Sequence, residues 1–516
     1  DNHGYKDATV FPASDLEVRQ LTSTPGCVAN IRNNSTPVYP VPPTIPMRFT
    51  CDFHPLSNWA HNTLNRYKKR SRQGTSMQSR IKDTSVELLI DFGIGGLIGT
   101  LIAWTSNAYV SGVQFFTELR ESNSFFEISL AGSQFELTSL IFLWIAACLV
   151  IVIRRVFGVL RWHGPADSIY HAQQSKEPLD IKHGIASTLT AFTSAAGGGS
   201  VGQYGPLVHF GATLGIAVKR FVSSRLPHEV YLGCGVAAAI SAGFGAPIAG
   251  IVFAHEAVLR HFSVRAIAPI SIASVTASAV SQSFFNTSAT FNISTSAPDL
   301  VSVIPVLIIA SPIIAIAAIV YMEALRRSVA IAKHTGWSAE RLVITAATIC
   351  GLVGIWIPEI LGLGIGTINA MLDGMYQLPA LILLLIAKIA MTALCIGFGL
   401  FGGVFSPALF VGVAVGGVIS QAAIFLGVPD LSVAISIAAM AAVAANVIGA
   451  PVAAVLIILE LTQSYAYAVA ALMAVMASML LTHRLFGHSF FDRQLLDRGI
   501  DLSLGREAIA LSQHTL

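Results

Sequence analysis

Two stretches of the chain repeat the same order of prolines and glycines. Glycines follow Pro206 at the fifth and ninth positions, and they follow Pro407 at the same two positions. A second proline comes 41 residues after the first in one copy and 44 residues after it in the other. A glutamate then lies nine residues beyond each second proline, as Glu256 and Glu460. Glycine and proline breaks recur in helical membrane proteins, but four landmarks in one order indicate an internal repeat.

The repeat lies in an apolar body that predicts an integral membrane protein. Hydrophobic residues make up 54% of the 516 residues and charged residues only 11%, whereas a soluble domain is about a quarter charged. Four apolar runs approach or reach the ~20 residues with which a helix crosses a bilayer: 137–153, 301–321, 381–394 and 466–481. We therefore predict an all-α, polytopic membrane protein. The net charge of +3 is too small to indicate a nucleic-acid partner.

Composition divides the chain into five parts. They are a polar tail at 1–82, with one helix expected near 59–70, a first transmembrane half at 83–285, a linker at 286–301, a second transmembrane half at 302–486, and a pore-lining segment with a short tail at 487–516. Basic residues cluster just before the first span, so the positive-inside tendency places the N-terminus in the cytoplasm. An inverted second half would place the C-terminus there too. The expected location is the cell membrane.

A glycine-rich loop leads into the first copy of the repeat. It ends at Gly205-Pro206, and a helix-like pattern follows. Proline suits the first turn of a helix, and a helix start with free N–H groups attracts anions. Two halves with broken helices at corresponding places are typical of inverted-repeat transporters, which bind their ligand near the midplane. The loop therefore predicts an anion site.

At these landmarks, over about residues 84–500, the chain resembles the CLC family of chloride channels and proton–chloride antiporters. Residues 202–206, Gly-Gln-Tyr-Gly-Pro, stand where the family has Gly-(Lys/Arg)-Glu-Gly-Pro. Residues 403–407, Gly-Val-Phe-Ser-Pro, fit its Gly-x-Phe-x-Pro. Residues 162–166, Trp-His-Gly-Pro-Ala, match its Gly-Ser-Gly-Ile-Pro by spacing. The resemblance implies a CLC-type inverted repeat with discontinuous, tilted helices. It also implies a lipid-embedded homodimer with one anion pathway in each subunit.

The resemblance further implies which residues bind the anion. The positions are His163, Gly164, Tyr204, Gly205, Val404, Phe405, Ser406 and Phe491. Val404, Phe405 and Ser406 would offer backbone N–H groups, which do not depend on the side chain. Phe491 keeps the ring of the family's pore tyrosine but lacks its hydroxyl. The transported ligand would be chloride or a similar anion, and no cofactor is expected.

Three side chains depart from the family's pattern. Tyr204 occupies the gate position, where antiporters have glutamate; a phenol with a pKa of about 10 stays neutral at pH 7. It either plugs the mouth or only lines the path. Ala257 stands at the inner proton-carrying glutamate and cannot hold a proton. His163 replaces a serine that donates to the anion, and it is either a donor, stronger when protonated, or a packing residue.

The remaining candidates have plainer interpretations. Lys388 lies within an apolar run, where a lysine is a functional candidate by default unless nearby carbonyls hold it. His209 and His255 are interpreted as packing or interface groups. Ser200 has no histidine that pairs with it, so we predict no enzyme. The six cysteines lack metal-ligand spacing, so no metal site is predicted.

These observations predict passive anion conduction that is not coupled to protons. An anion would lose its water at helix starts near residues 163–165, 204–206 and 404–406, where weak binding permits exit as well as entry. The alternative is an H⁺/anion antiporter with an unusual proton path through His163. A third hypothesis, of another class, is a membrane protein that senses anions or acts as a scaffold without transporting them.

Overall fold

The computed structural model describes the main chain of residues 77–122, 127–130, 133–173, 179–222, 226–285, 291 and 298–502, and side chains from residue 88 onward except those of 127–135. The helix expected near 59–70 lies outside these ranges, as does most of the predicted linker.

In the part of the first half that the structure describes, there are eight helices. They are α1 Met77–Ser122, α2 Thr138–Phe157, α3 Pro165–Gln173, α4 Ile181–Ala196, α5 Tyr204–Phe221, α6 His228–Phe244, α7 Pro247–Phe253 and α8 Val264–Phe285. A π-helical turn, Ala254–Leu259, continues α7. An antiparallel hairpin of β1, Glu127–Leu130, and β2, Ser133–Glu136, lies between α1 and α2.

The second half adds nine helices among the described residues. They are α9 Leu300–His334, α10 Ala339–Trp356, α11 Ile365–Leu372, α12 Leu378–Gly397, α13 Phe405–Phe425, α14 Ser432–Ile448, α15 Pro451–Thr462, α16 Tyr465–Leu485 and α17 Phe490–Leu496. A short 3-10 turn, Pro358–Ile360, lies between α10 and α11.

Eight helical segments in the described part of the chain are long and apolar enough to cross a membrane. The four apolar runs predicted from the sequence fall within α2, α9, α12 and α16. Apolar side chains also cover outward faces: Ile309 on α9 is 79% exposed and Leu480 on α16 is 71% exposed. Such faces suit lipid contact, and the predicted polytopic, all-α class is confirmed.

The repeated glycines let equivalent helices pack closely in both halves. A Cβ on Gly215 would lie 2.2 Å from the carbonyl oxygen of Tyr231, where α5 meets α6. A Cβ on Gly416 would lie 2.4 Å from Cα of Ser436, where α13 meets α14. Small residues permit this close approach of helices in membranes. The sequence repeat is therefore a repeat of packing.

The second landmark of the repeat ends one helix and starts the next. Helix α6 is followed by Gly245 in the left-handed conformation, at φ 66°, and α7 begins at Pro247. Helix α14 is followed by Gly449 at φ 72°, and α15 begins at Pro451. Glycine tolerates a positive φ and proline suits the first turn. The same two residues thus make the same break in each half.

Equivalent residues of the two halves pair directly at Gly202 and Gly403. The N–H of Gly202 donates to the carbonyl of Gly403 at 2.7 Å, and the reverse bond is 2.6 Å long. The pairing is antiparallel. An antiparallel pair between equivalent residues is what a two-fold relation between the halves produces. The start of α5 therefore lies next to the start of α13.

Candidate functional site

The starts of α5 and α13 have the same construction. The residues before them, Gln203 and Val404, make no side-chain capping bond. Each helix then opens with two residues that carry an N–H group, followed by a proline: Tyr204-Gly205-Pro206 and Phe405-Ser406-Pro407. The first N–H groups of a helix have no acceptor within it. Two helix starts without a side-chain cap therefore stand side by side, and each favours an anion.

A small apolar cavity lies beside these two helix starts. Its volume is about 20 Å³, enough for the centre of about one water-sized particle. Ten residues line it: Pro165, Tyr204, Gly205, Val208, Ile240, Phe253, Phe405, Ile448, Ile457 and Phe491. None of these side chains carries a carboxylate or a basic group. Four of the eight positions predicted from the sequence line the cavity, and the other four do not: His163, Gly164, Val404 and Ser406.

Tyr204 lies between this cavity and a larger polar vestibule. Its ring stacks on Phe244 with centroids 3.7 Å apart and meets Phe405 edge-on at 6.2 Å. It lines both the apolar cavity and the vestibule, whose volume is about 570 Å³. The polar side chains of the vestibule are Asn107, Ser111, Gln114, Gln203, Gln282, Glu460 and Gln463. The phenol thus occupies the boundary between the two spaces.

Helix α17 brings Phe491 to the same cavity. The hydroxyl of Ser489 accepts a bond from the N–H of Asp492 at 3.2 Å and so caps the helix start. Asp492 also forms an ion pair with Arg260, which follows α7. Phe491 is only 5% exposed and lines the cavity with its ring. This position therefore offers an apolar edge and no hydroxyl donor.

The main-chain N–H groups of His163 and Gly164 already have acceptors. The N–H of His163 donates to the hydroxyl of Ser187 at 2.8 Å, and the N–H of Gly164 donates to a carboxylate oxygen of Asp167 at 2.8 Å. Asp167 lies in the first turn of α3 and caps its own helix, as acidic residues there often do. Only Pro165 of this stretch lines the cavity.

The carboxylate of Asp167 joins three separate segments. Arg161 donates to it at 2.6 Å and Arg498, beyond α17, donates at 2.9 Å. Asp167 is 5% exposed. Burying a carboxylate is costly unless it is paired and hydrogen-bonded, and here both conditions are met. The start of α3 is thus held by side chains and is not open to an anion in the way of α5 and α13.

Glu256 has a structural role. Its two carboxylate oxygens accept bonds from the N–H groups of Val452 and Ala453, at 3.0 and 2.8 Å. Its neighbour Ala257 is 4% exposed in the π-helical turn. The position that the resemblance matches to a proton-carrying glutamate therefore holds only a buried methyl group.

The other candidates are held by local contacts. The ammonium of Lys388 donates to the carbonyls of Ile360 at 2.9 Å and Gly362 at 3.0 Å, so the plainer interpretation of this lysine is correct. Ser200 shares a hydrogen bond with Thr392. His255 bonds through Nδ1 to a backbone carbonyl six residues away. Among the described residues, no group of three or more metal-ligating side chains is found.

Sequence reasoning missed two contributors to this region. Tyr321, at the end of an apolar run, is fully buried and donates its hydroxyl to the carbonyl of Val404 at 2.9 Å. The hydroxyl of a tyrosine at the end of an apolar run needs a hydrogen-bond partner when it is buried, and this was a signal in the sequence that could have identified the residue. His183 stacks on His163 with ring centroids 4.8 Å apart. No spacing in the sequence indicates that contact, because the two residues lie on different segments.

Broken helices at equivalent places in two halves, joined at one antiparallel glycine pair, are typical of inverted-repeat membrane transport proteins. The model of the family described as "Voltage gated chloride channel" matches residues 142–483. The chain therefore belongs to the voltage-gated chloride channel family, and the resemblance to CLC proteins is confirmed.

Two relatives are about a quarter identical to this chain over the aligned residues. A protein named putative chloride channel protein ClcB-like, from Ralstonia nicotianae, is 27% identical over 326 residues, which cover 61% of this chain and 76% of the relative. A protein named H(+)/Cl(-) exchange transporter ClcA, from Vibrio parahaemolyticus, is 24% identical over 462 residues, which cover 83% and 96%.

Solved structures share the fold. The crystal structure of a slow cyanobacterial Cl⁻/H⁺ antiporter matches with a TM-score of 0.69 and 18% identity, covering 79% of this chain and 97% of that one. A CLC-type fluoride/proton antiporter matches with a TM-score of 0.65 and 19% identity, covering 81% and 98%. At this level of identity the likeness concerns the fold alone.

Proposed function

We propose that this protein conducts chloride or a similar small anion passively across the membrane. One observation carries the proposal: none of the ten residues that line the apolar cavity has a carboxylate. Coupling needs a group that exchanges a proton for an anion. Tyr204 and Ala257 occupy the two positions at which antiporters of the family have glutamates, and neither side chain ionises readily at neutral pH.

The mechanism follows from the open helix starts. An anion in the cavity exchanges its water for the N–H groups at the beginnings of α5 and α13. These donors carry partial charges and add no full positive charge that would trap the ion. Weak binding of this kind permits conduction.

Tyr204 would act as the gate. Its ring is packed between the apolar cavity and the polar vestibule, so an anion passes only when the phenol moves or swings its hydroxyl toward the ion. Stacking against Phe244 favours the closed position. The vestibule offers neutral amides and no basic side chain among the residues that line it. Anion entry from this side would therefore lack electrostatic attraction.

The distribution of basic residues supports an orientation with both termini in the cytoplasm. Basic residues occupy the last turns of α2, α5, α9 and α16. The connections 286–299, 357–377 and 426–431 contain neither lysine nor arginine. Since basic residues favour the cytoplasmic side, we assign those four helix ends to it. We further propose a homodimer embedded in the lipid of the cell membrane, as the family resemblance implies.

Coupled H⁺/anion exchange is the second candidate. The ClcA relatives are named as H⁺/Cl⁻ exchange transporters, and three histidines lie together behind the cavity. The test uses purified protein in vesicles with an imposed chloride gradient. Passive conduction predicts chloride efflux without uphill proton movement. Uphill proton movement that an uncoupler abolishes would establish the antiporter. Lack of any anion flux would favour an anion-sensing or scaffolding role.

A further inference from the structure

Three histidines from separate segments form a row beside the anion cavity. The rings of His183 and His163 stack with centroids 4.8 Å apart and planes inclined by 19°. The ring of His209 meets that of His163 edge-on at 6.2 Å. His163 precedes α3, His183 lies in the first turn of α4, and His209 lies in α5. Helix packing therefore assembles the row from three places in the sequence.

The row leads from the surface into the interior. At one end, Nδ1 of His183 bonds to the carboxylate of Asp180 at 2.5 Å, and the two side chains are 31% and 51% exposed. At the other end, His209 is 1% exposed, and its Nδ1 shares a hydrogen bond with the hydroxyl of Ser168 at 2.8 Å. A proton can thus reach the first imidazole from water, while the last imidazole is shielded from it.

Two ring nitrogens in the row have no hydrogen-bond partner. They are Nδ1 of His163 and Nε2 of His209, and both are buried within the described residues. A buried polar atom without a partner is unfavourable. A neutral imidazole has one nitrogen that can take a proton, and histidine is the side chain whose charge changes near neutral pH. The row therefore offers acceptor nitrogens that nothing else in the described structure uses.

The charges around the row are nearly balanced. The charged groups that face His163 and His209 are Asp167 and Arg161, and His171 is the other titratable neighbour. Arg161 and Arg498 already bind Asp167, while Asp180 faces His183. Among the described residues, Asp180 is the carboxylate beside the row that no arginine or lysine side chain binds, and it favours a proton on the row at His183. Because the first two rings are stacked, a second positive charge beside the first is disfavoured. We therefore expect the three histidines to bind one proton in total.

The row lies directly behind the wall of the anion cavity. Pro165 and Val208 line that cavity. His163 is two residues before Pro165, and His209 immediately follows Val208. A positive charge acts over a longer distance in an apolar interior than in water. A proton in the row would therefore attract an anion in the cavity, and the bound anion would stabilise the proton to the same extent.

We propose that His183, His163 and His209 form a proton-binding row that takes up one proton through His183 and binds it cooperatively with an anion in the adjacent cavity. The inference rests on the proposed function, since it requires an anion in the cavity. It does not require proton transport. The proton can enter and leave through His183, so anion conduction would respond to pH on that side alone.

The first experiment measures proton uptake in the purified full-length protein. Burial lowers the pKa of His163 from the ordinary histidine value to about 4, so chloride is added to the protein in detergent and weak buffer at several pH values from about 6.5 down to that value. The proton row predicts an uptake of up to one proton for each chloride bound. Calorimetry should show that chloride affinity increases by about tenfold as pH falls across this range, within the usual range of coupling between sites.

Three variants test the assignment. His163→Gln removes the central imidazole, and His183→Gln removes the half-exposed one with less risk to folding. In both, proton uptake should disappear and chloride affinity should lose its pH dependence. His334→Gln is the control, because His334 is exposed at the end of α9, away from the row. This control should behave like the unmodified protein.

The outcomes separate this inference from the proposed conduction. Equal proton uptake in the unmodified protein and in both histidine variants would contradict the proposal that these histidines bind the proton. Chloride flux in vesicles, with no linked uptake and no pH dependence, would overturn the row and leave conduction intact. Linked uptake without flux in vesicles would support the row and overturn conduction. Lack of both chloride binding and flux would overturn both.

Discussion

Glu256 and Glu460 each cap the start of the helix that carries the other. Glu256, just beyond α7, accepts bonds from the N–H groups of Val452 and Ala453 at the start of α15. Glu460, in α15, accepts bonds from the N–H groups of Ile248 and Ala249 at the start of α7. The four distances lie between 2.8 and 3.0 Å. The two halves are thus joined by a reciprocal exchange of carboxylates.

Removing either carboxylate should weaken the protein to a similar degree. Glu256→Ala and Glu460→Ala each leave two N–H groups without their acceptors, and the loss of a helix cap costs about 0.5–2 kcal/mol. Thermal unfolding in detergent should show two comparable decreases in melting temperature. The exposed Glu118 provides the control, as Glu118→Ala should have little effect. A decrease in only one of the two variants would contradict the reciprocal arrangement.

Shortening Tyr204 should increase anion flux. Tyr204→Ala removes the ring that separates the cavity from the vestibule, and Tyr204→Phe keeps that ring as a matched control. Vesicle efflux should therefore rise in the alanine variant and change much less in the phenylalanine variant. Unchanged efflux in both variants would mean that the ring does not block the pathway.

A glutamate at the same position should make the flux depend on pH. The carboxylate of Tyr204→Glu would compete with anions when ionised and would not compete when protonated. Flux should therefore fall as pH rises through about 4.3, the ordinary value for glutamate. A flux in Tyr204→Glu that does not change with pH would show that this side chain is out of reach of the anion.

Restoring a hydroxyl at Phe491 should strengthen anion binding. Phe491→Tyr places a donor at the edge of an apolar cavity, and a net hydrogen bond contributes about 0.5–1.5 kcal/mol, or roughly 2- to 10-fold in affinity. Calorimetry with chloride measures the change. Phe490→Tyr is the control, because Phe490 is equally buried but does not line the cavity. Equal gains in both variants would remove Phe491 from the site.

An added methyl group at the glycine pair should disrupt both helix starts. A Cβ on Gly202 would lie 2.8 Å from the carbonyl oxygen of Gly403, and a Cβ on Gly403 would lie 2.8 Å from the nitrogen of Gly205. Gly202→Ala and Gly403→Ala should each lower both thermal stability and anion affinity. At Gly96 nothing lies within 4 Å of an added Cβ, so Gly96→Ala should change neither. Normal affinity in the first two variants would contradict the importance of the pair.

Local chemistry made much of the fold predictable. Pro206 and Pro407 marked the starts of α5 and α13 because proline fits the first turn and little else inside a helix. The spacing of the repeated glycines anticipated the close packing of α5 on α6 and of α13 on α14. The equal positions of Glu256 and Glu460 were also visible in the sequence. Their exchange of partners was not, because it depends on contact between the two halves.

The region around His163 shows where sequence reasoning was insufficient. The spacing of residues 162–166 from Tyr204 predicted that His163 lies at the anion site. A main-chain N–H, however, can bond to any acceptor that folding brings near. Ser187 and Asp167 supplied those acceptors at His163 and Gly164. The contact of His163 with His183 likewise arises from the packing of separate segments. Side-chain identity alone contains no information about such neighbours.

The pairing of Gly202 with Gly403 has a consequence for how this protein can change over time. The two main-chain bonds fix the distance between the starts of α5 and α13 without the help of any side chain. Residues around the pathway can therefore be replaced by others of different chemistry while the donor groups keep their positions. A tyrosine for a glutamate, or a phenylalanine for a tyrosine, can then change the chemistry beside the two helix starts and leave their positions unaltered.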